Sequence, residues 1–169
     1  MVVTMRAAEP AYRTGQITYG DTFMDKTTFI VGLDGSDAGE RALDFAKDRA
    51  KAVGEATIVT CYVIEWSPFA FQTAEENAQR FKRREEEIAM AHERVLDPAI
   101  TKAQSEGFDV TGVVRHGSAA TILHALARQQ KATQIIIGRA SNSGLKARLF
   151  GGVAAKLATT STIPVTIIP

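Results

Sequence analysis

Residues 135–152, IIIGRASNSGLKARLFGG, hold the densest set of groups able to do chemistry. The stretch reads as a buried strand, a glycine- and serine-rich loop and the start of a helix. That order can cradle a phosphate: loop N–H groups turn inward, and the free N–H groups of the first helical turn add positive partial charge. Gly138, Gly144, Gly151 and Gly152 can take positive φ or admit a ligand close to the backbone. Arg139, Lys146 and Arg148 add cations in the same window. Glycine clusters also mark ordinary turns, so the spacing leaves both readings open. Asp34, at the end of an apolar run, is the other candidate. It can hold a ribose hydroxyl or a magnesium ion, or it can cap a turn. Around these groups the chain has no GxxxxGK[ST], no S-G-G-x-D-S, no G-x-S-x-G and no HExxH. Asp34 lacks a partnered base, so the sequence points away from an enzyme, or at most to a slow ATPase. His92 and His124 fall in helices and His116 follows a strand, positions that suit surface or packing roles.

The elements that must position these groups alternate along the chain. Residues 27–33, TTFIVGL, are apolar almost throughout, as in a strand covered on both faces. Asp37 and Glu40 have capping-box spacing, with Asp37 as the expected N-cap. The helix that follows puts Leu43, Ala46, Ala50 and Val53 on one face, and Gly54 stops it. Residues 56–64 form a second strand, and 72–94 a polar helix with charge on most faces. Asp97-Pro98 either begins a new helical segment or kinks one long helix. A third strand covers 110–114. Gly117-Ser118 then caps a helix with Ile122, Leu123 and Leu126 on its apolar face. Strand 133–137 enters the glycine loop. A helix after Gly152 is expected to bury Val153, Leu157 and Ser161, and 163–168 is the last strand. Parallel strands need such crossovers, so the fold expected is a three-layer α/β/α sandwich on a mainly parallel sheet.

At 169 residues the length fits one domain, taken as 26–169, with 1–25 as an N-terminal extension. A formal net charge of +1 gives no electrostatic reason to expect nucleic acid or membrane as partner. No apolar run approaches the roughly 20 residues that span a bilayer. The one cysteine, Cys61, sits in an apolar strand and has no intrachain disulfide partner, which suits a reducing, cytoplasmic setting.

With these pieces in order, the chain resembles the universal stress protein family. The first strand and its turn, Val31-Gly32-Leu33-Asp34-Gly35-Ser36, are like the family's V-x-x-D-G-S and lead into Ala42-Leu43. Cys61-Tyr62-Val63 stands where the family has a strand ending L-H-V, and Arg115-His116-Gly117-Ser118 is similar to its x-x-G-x-P turn. The glycine stretch is similar to G-x2-G-x9-G-S/T and is followed by a Pro-Val strand, here Pro164-Val165. The resemblance implies a Rossmann-like sheet of order 3-2-1-4-5, of the adenine nucleotide alpha hydrolase-like kind. It implies ATP, with Mg2+, in the crevice between the first and fourth strands. The residues carried over are Asp34, the backbone of Val63, Gly138, Arg139, Ser141, Gly151 and Gly152. Gly138 and Gly151 match the glycine motif, while Ser141 replaces its second glycine and Gly152 its Ser/Thr. A left-handed backbone at Ser141 would cost roughly 1–2 kcal/mol, so any ATP binding is expected to be weak. Valine at Gly138 is expected to block the phosphate and leave the fold intact. The resemblance also implies a homodimer through residues 163–168. The alternative is a dimeric interaction protein of the same fold that binds no nucleotide and acts on an unknown protein partner.

Overall fold

The structure, a computed structural model, describes residues 26–65, 74–139 (side chains from 83) and 152–169. Five strands, β1 (Thr27–Leu33), β2 (Ala56–Ile64), β3 (Asp109–His116), β4 (Gln134–Gly138) and β5 (Val165–Ile168), form one sheet of order β3-β2-β1-β4-β5. Every pairing is parallel, as expected of apolar runs joined by helices. The register places Ile30 beside Val59 on one side and Ile135 on the other, so the centre of the sheet is aliphatic.

Helices cover both faces. On one, α1 (Asp37–Val53) and a long helical rod bury Phe29, Val31, Leu33, Ile58 and Ile136. On the other, α4 (Ala119–Gln129) and α5 (Val153–Thr160) bury Ile30, Val59, Cys61, Ile135 and Ile137. The rod is α2 (Ala74–Ala91), a π turn (His92–Leu96) and α3 (Asp97–Ser105). Pro98 explains the π turn. It has no N–H to donate and its ring crowds the carbonyl four residues back, so the helix widens locally and the Asp97 N–H donates to the His92 carbonyl. Of the two alternatives at Asp97-Pro98, one long interrupted helix is the arrangement found. No helix among the described residues is long and apolar enough to cross a membrane.

Two expectations for α1 are corrected. The N-cap is Ser36, not Asp37: Ser36 is extended (φ −91°, ψ 158°) and its Oγ accepts from the Gly39 N–H at 3.2 Å. The Asp34 carboxylate folds back on Ser36 and holds the chain extended there, one residue earlier than the capping-box spacing suggested. Val53, placed on the apolar face by periodicity, is 41% exposed, because α1 ends at Gly54 beyond the rim of the core. Lys47 does the reverse and is only 8% exposed. Its Nζ lies 2.7 Å from Asp44 and 2.8 Å from Glu106, and 5.9 Å from the Phe108 ring centroid. Burial opposes the Lys47 charge, yet the two carboxylates outweigh it and raise its pKa. The Lys47 hydrogen bond holds Glu106 below the usual carboxylate range.

A pH dependence follows with a definite sign. A depressed carboxylate stabilises the fold above its unfolded pKa, about 4.3 for Glu, and that contribution is lost as pH falls through the folded value. A raised lysine stabilises below its unfolded pKa, about 10.4, and loses that as pH rises through the folded value. Lys47→Met should therefore flatten the fall in Tm below about pH 4. Differential scanning calorimetry that showed the same acid slope in both proteins would exclude this pair as its source.

Candidate functional site

Because all five strands are parallel, their carboxyl ends share one edge of the sheet. The chain leaves β1 for α1 on one face, while the helix that leads from β4 toward β5, α5, lies on the other. The crevice expected in an open α/β sheet therefore opens between β1 and β4.

Asp34 and Arg139 each lie two positions beyond Gly32 and Ile137, the last residues that pair β1 with β4. Asp34 is exposed. Its Oδ1 accepts from the Ser36 N–H at 3.0 Å and the Ser36 hydroxyl at 2.5 Å, so the turn-capping role is realised for one oxygen. Its Oδ2 has no partner among the described residues. Arg139 is exposed, and its N–H donates to the Ile168 carbonyl at 2.6 Å, which ties the end of β4 to β5.

Gly138 has a packing duty that sequence reasoning missed. A Cβ built there would lie 2.3 Å from both the carbonyl carbon and the oxygen of Ala38, inside the backbone of α1. The absence of a side chain lets the first turn of α1 rest on the end of β4. The expectation that valine at Gly138 would leave the fold intact is thus overturned. Gly39, next in that turn, is also constrained, since a Cβ there would come within 2.9 Å of Asp34 Oδ1. The small pair Ala38-Gly39, one residue after the Asp34–Ser36 turn, was the available signal.

Val63 lies on β2, half-buried, beside Arg115 of β3, with its side chain against the α4 face. Gly152 is the N-cap of α5 (φ −60°, ψ −178°), is exposed, and would offer an added Cβ open space among the described residues. Ser141 and Gly151, with Gly144, Lys146 and Arg148, lie outside the described residues. The structure therefore brings Asp34, Gly138 and Arg139 to one rim, sets Val63 on the next strand and starts α5 at Gly152. The three histidines bond elsewhere: His92 to Asp97 at 3.2 Å, His116 to Glu87 at 3.3 Å and His124 to Thr162 at 3.1 Å.

Sheet order, crossovers and rim define a Rossmann-like α/β protein with its crevice at the β1–β4 junction. Residues 27–169 match the Universal stress protein family, and the chain belongs to that family. It is similar to the Universal stress protein YxiE of Bacillus subtilis (strain 168), 26% identical over 148 residues that cover 82% of this chain and 96% of that protein. Among solved structures it is similar to the universal stress protein UspA from Lactobacillus plantarum, with TM-score 0.70, 18% identity, and coverage of 85% of this chain and 98% of that one. A universal stress protein in complex with cAMP aligns with TM-score 0.59 at 26% identity, covering 85% of this chain and 96% of that one.

Proposed function

We propose that this protein is a cytoplasmic regulatory module that binds an adenine nucleotide, weakly, between Asp34 and the 138–152 loop. One observation carries the reading: at the β1–β4 crevice Asp34 presents a carboxylate oxygen without a protein partner among the described residues, on the same rim as Gly138 and Arg139. The relative that binds cAMP supports the ligand class. ATP with Mg2+ is the ligand to test first. Asp34 Oδ2 would take a ribose hydroxyl or the magnesium ion, Val63 would meet adenine through its backbone, and the Gly152 N–H would face phosphate. The cationic Arg139 would face the phosphates across the rim.

The test is calorimetric titration of the wild type, Ser141→Gly, Gly152→Ser and the double variant with ATP, AMP and cAMP, magnesium present. The wild type should bind with a Kd of roughly micromolar or weaker, and each restored motif position should tighten it, by about tenfold per 1.4 kcal/mol recovered. Gly152→Ser has room for its side chain among the described residues and adds a hydroxyl at the α5 N-cap. If neither wild type nor double variant binds any of the three nucleotides, the crevice is not a nucleotide site.

A second reading has its own observation. β5 is an edge strand, and its Ile167 is 40% exposed. An apolar open edge is a liability unless it is covered, and a two-fold pairing of two copies through residues 163–168 would cover both edges. On this reading the chain is a homodimeric interaction module of the same fold that binds no nucleotide. Light scattering should give twice the 18.2 kDa chain mass at micromolar concentration. A monomer there would remove the pairing.

A further inference from the structure

α1 and the α2–π–α3 rod share a face of the sheet, yet they pack on the sheet more than on each other. A cavity of about 230 Å³ opens between them, beside the Gly35–Ser36 turn that follows β1. Its floor is apolar: Leu33, Leu43, Val95, Ala99 and Ala103. The π turn shapes one wall by bringing Val95 to within 3.3 Å of where a Cβ on Gly35 would sit. Local π turns of this kind recur at functional sites.

The two lips of this cavity carry opposite charge. Glu40 and Asp44 stand on the α1 lip, and Arg94 and Lys102 on the rod lip. Asp44 is already paired with Lys47 at 2.7 Å, and Lys47 with Glu106 at 2.8 Å. Lys102 acts on the Glu106 carboxylate, which it helps to hold ionised, whereas Glu40 and Arg94 have no side-chain partner among the described residues. Glu40 and Arg94 thus line opposite lips of an apolar cleft, with no ion pair joining them among the described residues. The complement of that pattern is a small molecule with an ammonium, a carboxylate and an apolar body. The volume lies under the roughly 300 Å³ at which sites for drug-sized ligands begin, which suits one compact ligand.

We propose that this groove binds a free apolar α-amino acid. The side chain rests on Leu43, Val95 and Ala99, the carboxylate turns to Arg94, and the ammonium turns to Glu40. Apolar burial supplies most of the affinity, because exposed ion pairs contribute little. The charged lips supply selection, since they reject a ligand that carries only one of the two charges.

The experiment titrates the full-length protein with L-leucine, L-methionine and L-phenylalanine, followed by amide NMR shifts. Two half-ligands run alongside: 4-methylpentanoate, which is leucine without its ammonium, and 3-methylbutylamine, which is leucine without its carboxylate. At least one amino acid should saturate the same groove amides with a Kd of roughly 1 mM or tighter. Each half-ligand should bind about fivefold more weakly than leucine, the effect of one lost exposed ion pair. Glu40→Gln should abolish the preference for leucine over 4-methylpentanoate, and Arg94→Gln the preference over 3-methylbutylamine. Ala99→Leu should fill the floor and remove binding. Its thermal transition is recorded first, and if it fails to fold, the two exposed-lip variants decide. The proposal is overturned if no amino acid saturates, if a half-ligand binds as tightly as leucine, or if a folded Ala99→Leu still binds.

Discussion

Gly138→Val should destabilise the fold by about 3 kcal/mol, at the upper end of the cost of overpacking a tight site. The added Cβ alone would lie 2.3 Å from two backbone atoms of Ala38, a separation that no rotamer change can relieve. Relief requires α1 to lift off the end of β4, and Ala38, Ala42 and Ala46 of that helix are all buried. Urea titration reads the effect as a lower midpoint at unchanged slope. Gly138→Ala should move the midpoint the same way, since the collision is with Cβ itself. A midpoint equal to wild type, with only nucleotide affinity lost, would mean that Gly138 serves the ligand and not the helix. The consequence for function experiments is direct: Gly138 variants cannot serve as clean binding knock-outs, whereas a side chain at Gly152 meets no comparable backbone collision among the described residues.

Leu157→Ala should cost about 3 kcal/mol, within the range for emptying a fully buried leucine site. Leu157 is 0% exposed and is the one buried residue of α5. At 8 residues α5 is far too short to persist as a helix on its own. Its docking rests on this side chain, with Val153 and Ala154 half-buried beside it. The loss should therefore be local as well as global. Hydrogen exchange should show the α5 amides losing protection ahead of those in β1 and β4. Nucleotide affinity should fall with them, because Gly152 begins the same helix. If α5 exchanges no faster than β4 in the variant, the helix is anchored by something other than Leu157.

The contrast between these residues shows what the sequence carried. Leu157 was legible because a 3.6-residue period and a buried strand on either side left it one place to go. The five strands were legible for the same reason: apolar runs such as TTFIVGL and ATIVTCYVI, separated by helical patterns, admit few arrangements other than a parallel sheet. The sheet order came from the family resemblance and not from periodicity, which is silent about neighbours. Gly138 was found but misread, because its constraint is a contact with Ala38, a hundred positions earlier in the chain. Lys47 was not found at all. Its burial depends on Glu106, 59 positions away, and on the Phe108 ring, and no local pattern announces either. The N-cap was displaced by one residue because the Asp34 side chain, not the helix, decides where the extended backbone ends. Within the candidate site, Asp34, Gly138, Arg139 and Gly152 are placed, while Ser141 and Gly151, where departure from and agreement with the glycine motif meet, lie outside the described residues.

Cys61 is 1% exposed, in the middle of β2, and burial pushes its thiol from an ordinary 9.0 up to about 11. At neutral pH that lowers the reactive thiolate fraction about 100-fold, before any steric shielding is counted. As the chain's single thiol, it makes the protein its own opening clock. A maleimide or disulfide reagent added to the native protein would be consumed no faster than the central sheet parts, to a limit of one label per molecule, with no engineered probe.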